Sequence, residues 1–274
     1  MVRNRKILVF DSGIGGLTVY RAVRDVLPNA DYVYAADDAA FPYGRLSEAT
    51  LVERVCFVMD HLISDHCPDI VVVACNTAST LVLPHLRARF AVPFIGTVPA
   101  IKPAAQLSTS RVIAVLATPG TVSRDYTHEL IRQFGGGCEV ILVGSNKLAM
   151  LAEQRLRGKE PDTREVLREL EPCFVDLCGR RTDVIALSCT HYPLLTDMLH
   201  ALSPWPVTFI DPAPAIAKRA LAVLAAMPPM DTEAEPRVPL AVFTGPAQND
   251  AELAAALSRF GLQIKATAQF EFAA

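Results

Sequence analysis

Short apolar runs, several of them apolar at every position, recur along this chain and limit its possible folds more than any other feature. Ile70–Ala74 in "DIVVVAC" and Val184–Leu187 in "DVIALSC" are the clearest. A strand buried on both faces reads this way, and parallel sheets covered by helices on both sides contain such strands. Further candidate strands are Lys6–Phe10, Asp31–Ala35, Phe94–Gly96, Val112–Leu116, Glu139–Val143, Val207–Ile210 and Leu240–Phe243. Helical patterns lie between, over Ser47–His66, Ala78–Phe90, Arg124–Phe134 and Thr163–Arg180, with another helix starting near Leu17. The alternation predicts a mainly parallel α/β architecture. A closed eightfold barrel would just fit into 274 residues.

An internal repeat argues instead for two doubly wound halves. "DIVVVACNT" and "DVIALSCTH" each place an aspartate, Asp69 or Asp183, six residues before a cysteine, Cys75 or Cys189. Each cysteine falls where a strand should give way to a helix. Upstream, "KILVFDSG" runs into Asp11 much as "RVIAVLATPG" runs into Thr118. Ligands of doubly wound sheets bind beyond the carboxyl ends of the strands. Asp11, Ser12, Cys75, Thr118 and Cys189 all sit there, and two facing halves would line one cleft with them.

Composition narrows the class of function. With 51% apolar and 20% charged residues, the chain can bury a large core and does not read as disordered. The formal charge of −3, without basic runs, gives no nucleic-acid surface; "GRR" at 179–181 reads as a solvated helix end. No signal peptide and no membrane-length apolar run is present, so a soluble cytoplasmic protein is expected. Seven cysteines at irregular spacing, without a CxxC pair, argue against both a disulfide framework and a zinc site. Cys56, Cys67, Cys138, Cys173 and Cys178 are expected to be core or incidental, with Cys173 and Cys178 on a helix. His61, His66, His85 and His128 fall on helical patterns as surface or capping residues. Trp205, between two prolines, is expected to pack as a linker residue between the halves.

The chemistry-bearing segments converge on a small zwitterion. In "FDSGIGGLTV", Gly13, Gly15 and Gly16 turn the chain from strand to helix, where backbone N–H groups favour anions. Thr18 stands where a dinucleotide loop would need glycine, and no P-loop lysine follows. Asp11 adds negative charge, which suits a ligand carrying both signs; the competing role is a plain helix cap. In "FPYGRLS", Tyr43 and Gly44 could offer a hydroxyl and a backbone N–H, or merely connect elements, and Ser47 should cap the next helix. Asn76 and Thr77 follow Cys75, while Thr190 and His191 follow Cys189, giving each thiol a tail of hydrogen-bond donors. A cysteine just before a helix has its thiolate favoured by the helix start, and free thiols titrate near ~8.5. One such cysteine would suggest a nucleophile. Two suggest a two-base proton transfer, in which one thiolate removes an α-proton and the opposite thiol returns one, inverting a stereocentre without a cofactor.

These segments, "FDSGIGGLTV", "PYG", "ACNTAS" and "CTHYPLL", closely resemble the signatures of bacterial glutamate racemase, in the cofactor-independent aspartate/glutamate racemase superfamily. The resemblance runs from about residue 5 to the "VFTGPAQND" region near 250. It implies catalytic roles for Cys75 and Cys189 and substrate contacts at Asp11, Ser12, Tyr43, Gly44, Asn76, Thr77, Thr190 and His191; Thr118 and Thr121 complete the candidate binding set. It also implies two pseudo-symmetric α/β domains with the active site in the cleft between them, residues 1–97 plus 207–274 and residues 98–206. A homodimer without cofactor or metal, supplying D-glutamate for peptidoglycan and cell shape, is the implied setting. With the first strand read at Lys6, no N-terminal extension for an activating cell-wall precursor, as seen in some relatives, is expected. Two segments depart from the pattern: "DDAAF" before "PYG", and "GSNKLAMLAE" where a Cys-Pro is frequent, which weakens the transfer of an acidic role to Glu153. Alternatives are a racemase of aspartate, a hydantoin or another small acid, a single-cysteine nucleophilic enzyme, and a non-catalytic amino-acid binding protein.

Overall fold

The computed structural model describes residues 3–229, 235–245 and 250–265. Among these, the strands in chain order are β1 (Lys6–Asp11), β2 (Asp31–Ala36), β3 (Ile70–Val73), β4 (Phe94–Gly96), β5 (Val112–Ala117), β6 (Glu139–Gly144), β7 (Asp176–Leu177), β8 (Arg180–Arg181), β9 (Val184–Ser188), β10 (Thr208–Ile210), β11 (Leu240–Phe243) and β12 (Gln263–Ile264). The helices are α1 (Leu17–Val26), α2 (Glu48–His66), α3 (Asn76–Arg89), α4 (Ile101–Leu107), α5 (Pro119–Val122), α6 (Asp125–Phe134), α7 (Leu148–Leu156), α8 (Thr163–Leu170), α9 (Thr196–Leu202), α10 (Ala213–Ala225) and α11 (Ala251–Ser258). The "PAQN" stretch at 246–249 of the signature near 250 lies outside the described residues.

The chain divides into two compact units. One takes the residues up to Thr97 and those from Ala213 onward; the other is Val98–Pro212. The first holds a six-stranded sheet in the order β12-β11-β2-β1-β3-β4, with every pairing parallel. The second holds a four-stranded sheet, β10-β9-β5-β6, also all parallel. Strands β3, β5 and β9 are buried at every residue, as expected for strands with neighbours on both sides and helices on both faces. The sheet edges β6 and β10 are half exposed. One core packs Leu8, Phe10, Val71 and Val73 against Val55, Met59 and Leu62 of α2 and Val82 and Leu86 of α3. The other packs Ile113, Val115 and Ala186 against Ile101 and Ala104 of α4.

Register brings the candidate residues to the carboxyl edges. Phe10 pairs with Val73, so Asp11 and Cys75 emerge side by side from β1 and β3. Ala117 pairs with Ser188, so Thr118 and Cys189 do the same from β5 and β9.

Four sequence expectations change. The helix read over Thr163–Arg180 ends at Leu170, and Asp176–Arg181 forms an antiparallel hairpin. Cys178 and Gly179 both take positive φ, 55° and 88°, as a two-residue hairpin turn of this hand requires. Cys173 therefore lies in a single-turn helix, Cys178 in that turn, and "GRR" in a strand. The boundary at 207 moves to Ala213, because β10 pairs with β9 in the second sheet. Trp205 packs inside the second unit: its indole N–H donates to the Thr182 carbonyl at 2.7 Å, and Phe174 meets its ring edge-on at 5.3 Å. Of the five cysteines expected to be core or incidental, Cys67 and Cys178 are exposed and Cys56 and Cys173 are buried. Among the described residues no helix is long and apolar enough to cross a membrane.

Candidate active site

In the first unit, Asp11 ends β1 fully buried. One of its carboxylate oxygens accepts from the Ser12 N–H at 2.7 Å, and the other accepts from the Gly16 N–H. Those bonds tie up the start of α1, so the capping role that the sequence left open is the one this side chain performs locally. Gly16 is required there: a Cβ would sit 2.8 Å from the Asp11 Cβ and 3.1 Å from that of Ala74. From β2, the Tyr34 hydroxyl donates to the Gly13 carbonyl at 2.7 Å and fixes the loop.

Cys75 is the N-cap of α3, in extended conformation, with 6% exposure. Its neighbours extend the helix two residues earlier than the expected Ala78, so Asn76 and Thr77 occupy the first turn, both buried. A helix N-terminus favours negative charge at this position. The Ser12 hydroxyl lies 3.7 Å from the Cys75 sulfur. Ser79 braces the turn, donating to the Val73 carbonyl at 2.9 Å and accepting from the Thr97 N–H at 3.1 Å. Thr97 in turn donates to Asn76 Oδ1 at 3.4 Å. The Asn76 amide nitrogen is buried and has no hydrogen-bond partner among the described residues. A buried unpaired donor is costly, so it marks a place where a ligand acceptor would be bound.

Tyr43 lies in a single helical turn, Tyr43–Arg45, that also contains Gly44. The ring is core, and its hydroxyl donates to Asp37 Oδ2 at 2.6 Å. Burial, then the Asp37 carboxylate, pushes that hydroxyl well above its ordinary range. Its proton is therefore committed inside the protein, and a ligand would find an acceptor oxygen at most. Asp37, fully buried, also takes both arms of the Arg54 guanidinium, at 2.8 and 2.6 Å, and the Thr244 hydroxyl at 2.6 Å. No local pattern identifies this carboxylate, because its partners come from α2 and from the end of β11.

In the second unit, Thr118 caps α5 and its hydroxyl lies 3.0 Å from that of the buried Thr121. Cys189 follows β9 with 6% exposure, and Thr190 and His191 are equally enclosed. The sulfur is 3.7 Å from His191 Nδ1, and His191 Nε2 is 3.1 Å from Glu153 Oε1 on α7. An ionised carboxylate has no proton to give, so Nε2 carries the ring hydrogen and Nδ1 turns its lone pair to the thiol. Cys189, His191 and Glu153 thus form a chain along which the thiol proton can be taken up and the resulting imidazolium stabilised. Tyr192, next in sequence, is fully buried; burial, then Cys189, raises its hydroxyl well above the ordinary range.

None of the seven cysteines forms a disulfide, and among the described residues no cluster of His, Cys, Asp or Glu is arranged to hold a metal ion. A groove of about 700 Å³ in the first unit, lined by Arg87, Phe90, Pro93, Gly96, Arg219 and Val223, contains none of the candidate residues.

Residues 16–220 match the family described as Asp/Glu/hydantoin racemase. A glutamate racemase of Brucella canis is 49% identical over 260 residues, covering 94% of this chain and 93% of its own length. Among solved structures, Escherichia coli glutamate racemase in complex with L-glutamate and the activator UDP-MurNAc-Ala superposes with a TM-score of 0.88 at 39% identity, covering 96% of this chain and 97% of that one. Francisella tularensis glutamate racemase in complex with D-glutamate gives 0.75 at 25% identity, covering 96% and 98%. With the parallel sheets and the cysteines at their carboxyl edges, these matches place the chain in the Asp/Glu/hydantoin racemase family of amino-acid racemases.

Proposed function

We propose that this protein interconverts L- and D-glutamate without a cofactor, by proton transfer between the substrate α-carbon and two cysteines. The observation that carries this is the pair of enclosed thiols, Cys75 and Cys189, at equivalent strand ends, each with its own hydrogen-bonding partners. Likeness to glutamate racemases over nearly the whole chain supports glutamate over aspartate or a hydantoin as substrate.

Inversion by two bases requires the sulfurs to approach Cα from opposite faces. One thiolate removes the α-proton; the developing carbanion is reprotonated by the thiol on the other face, and the roles exchange for the other enantiomer. Cys75 takes the proton from D-glutamate and Cys189 from L-glutamate, with His191 and Glu153 serving Cys189. Asp11, Ser12, Tyr43, Gly44, Asn76, Thr77, Thr118, Thr121, Thr190 and His191 are assigned to substrate binding. The orphan amide of Asn76 is the donor best suited to a substrate carboxylate. The product, D-glutamate, would feed peptidoglycan synthesis in the cytoplasm, and the working form would be a homodimer.

Purified protein should racemise both glutamate enantiomers in the absence of pyridoxal phosphate, with solvent deuterium entering at Cα. Cys75→Ala or Cys189→Ala should each lower racemisation by roughly 10³-fold or more in both directions, as loss of a required acid or base does. Near-normal turnover in either variant would exclude the two-cysteine mechanism, and faster turnover of aspartate would move the substrate. Glutamate binding without deuterium exchange would leave only a binding function.

A further inference from the structure

The first turn of α7 is held in an unusual way. The residue before it, Lys147, offers no side-chain cap. The cap comes from the next helix: Glu169 Oε2, on α8, accepts from the Ser145 hydroxyl at 2.6 Å, from the Asn146 N–H at 2.9 Å and from the Lys147 N–H at 3.3 Å. Ser145 Oγ itself accepts from the Leu148 N–H at 3.1 Å. One carboxylate and one hydroxyl thus satisfy three successive backbone donors that a helix start leaves unpaired, and the negative charge suits the helix dipole. Lys147 Nζ adds a second tie to α8, 2.6 Å from Glu165 Oε1. The stretch "GSNKLAMLAE" has no proline to pre-set this helix start, so its position depends on the neighbouring helix.

The same turn is joined to the reactive end of the unit. Ser145 is nearly fully buried, and its N–H donates to the Ala117 carbonyl at 2.7 Å, at the end of β5. Its side chain lies beside the hydroxyl of the fully buried Tyr192. From this fixed start α7 carries Glu153 to His191, and His191 lies against Cys189. A helix moves as a rod, so releasing its first turn displaces Glu153.

We propose that Glu169 is a positioning residue for Cys189: by clamping the first turn of α7 from α8, it sets where Glu153 holds His191 against the thiol. The inference rests on Cys189 being one of the two proton-transfer groups. Its consequence is selective, because every hydrogen bond of the clamp is made within the second unit.

The test follows iodoacetamide alkylation of Cys75 and Cys189 separately, by peptide mass spectrometry, against pH. Glu169→Ala should move the Cys189 profile to higher pH and slow its reaction at neutral pH roughly tenfold, as one pKa unit of lost thiolate would. The Cys75 profile should stay where it is. Glu169→Gln, whose amide oxygen still accepts, should restore most of the rate, and Ser145→Ala should fall between. On a Glu153→Gln background, Glu169→Ala should add less than about twofold, since both act through one chain. In turnover, kcat/KM for L- and D-glutamate should fall by the same factor, because the equilibrium constant of a racemisation is one, with KM little changed. If the two cysteines shift together, if neither shifts, or if the Glu169→Ala effect persists undiminished without Glu153, the assignment is wrong. Should Glu169→Ala not fold, Glu169→Gln and Ser145→Ala decide the matter, and one of them must slow Cys189 selectively. Absence of glutamate turnover in the parent protein would instead overturn the proposed reaction, while the thiol profiles would still decide the clamp.

Discussion

Cys75 and Cys189 occupy matching places in their sheets but sit in different chemical company. Cys75 caps a long helix and has the Ser12 hydroxyl 3.7 Å away. Cys189 precedes only a single turn, Tyr192–Leu195, and has an imidazole 3.7 Å away that is backed by Glu153. The anchors at the other ends of the strands diverge too. Asp69 is bound by Arg3, Arg5 and the Lys6 N–H. Asp183 is bound by Ser108, Thr109 and Ser110, with no cation on it among the described residues. What repeats is the backbone frame that presents a thiol at a strand end. The side chains around each thiol are supplied separately, by different elements of each unit.

The most severe way to break this comparison is to remove one thiol's acid–base capacity and ask which enantiomer still exchanges. In Cys189→Ser, deuterium wash-in should persist only with D-glutamate; in Cys75→Ser, only with L-glutamate. Racemisation in both should be down by about 10³-fold or more. NMR loss of the Cα proton signal reads this directly, and the reversed pattern would exchange the assigned roles.

A milder cut removes the partners and keeps the thiols. His191→Gln should reduce kcat/KM by roughly 10²-fold, within the range for a positioned acid or base, and Glu153→Gln by about tenfold. Ser12→Ala should cost less than either, because a hydroxyl beside a thiol at a helix start is not a proton acceptor of comparable strength. Initial-rate kinetics in both directions check the order. A Ser12→Ala loss larger than that of His191→Gln would show that the two arms do not differ as described.

The smallest effects concern the anchors. Burial opposes the ionisation of Asp183, but hydrogen bonds from Ser108, Ser110 and Thr109 outweigh it and hold the carboxyl at about 2. Its folded value lies below the ordinary carboxylate value of ~3.9, so its contribution is present above about pH 4 and is lost as pH falls through about 2. The same sign applies to Asp69, where burial is outweighed by Arg3, the Lys6 N–H and Arg5. Melting curves of Asp183→Asn and Asp69→Asn against the parent should therefore diverge at neutral pH and converge in acid. Adding 1 M salt should shrink the Asp69→Asn difference and leave that of Asp183→Asn nearly unchanged, because only the first anchor is an ion pair exposed to screening. Equal salt sensitivity would remove the distinction.

Much of the frame is legible in local pattern. A run such as Ile70–Val73, apolar at every position, can satisfy its surroundings only inside a covered sheet, and the chain turns polar at Cys75 because the strand ends there. The hairpin Asp176–Arg181 carries no local signal, because its turn is built by Cys178–Gly179 rather than the usual Asn-Gly or Asp-Gly, and the flanking residues continue a helical period. Trp205 and the strand Thr208–Ile210 lie next to the boundary in sequence, but hydrogen bonding to Thr182 and β9 holds them in the second unit.

The parallel α/β architecture and the two cysteines at their strand ends are written into local pattern, because periodicity and the polar break after a strand are properties of neighbouring residues. The partners come from the fold: Ser12 from the loop after β1 lies by Cys75, His191 backed by Glu153 lies by Cys189, Glu169 stands behind α7, and Asp37 gathers Tyr43, Arg54 and Thr244. Those partners lie far apart along the chain. Parallel strands can be joined only through long crossovers, so contacts at their ends are set by strand order and register, which local pattern does not encode.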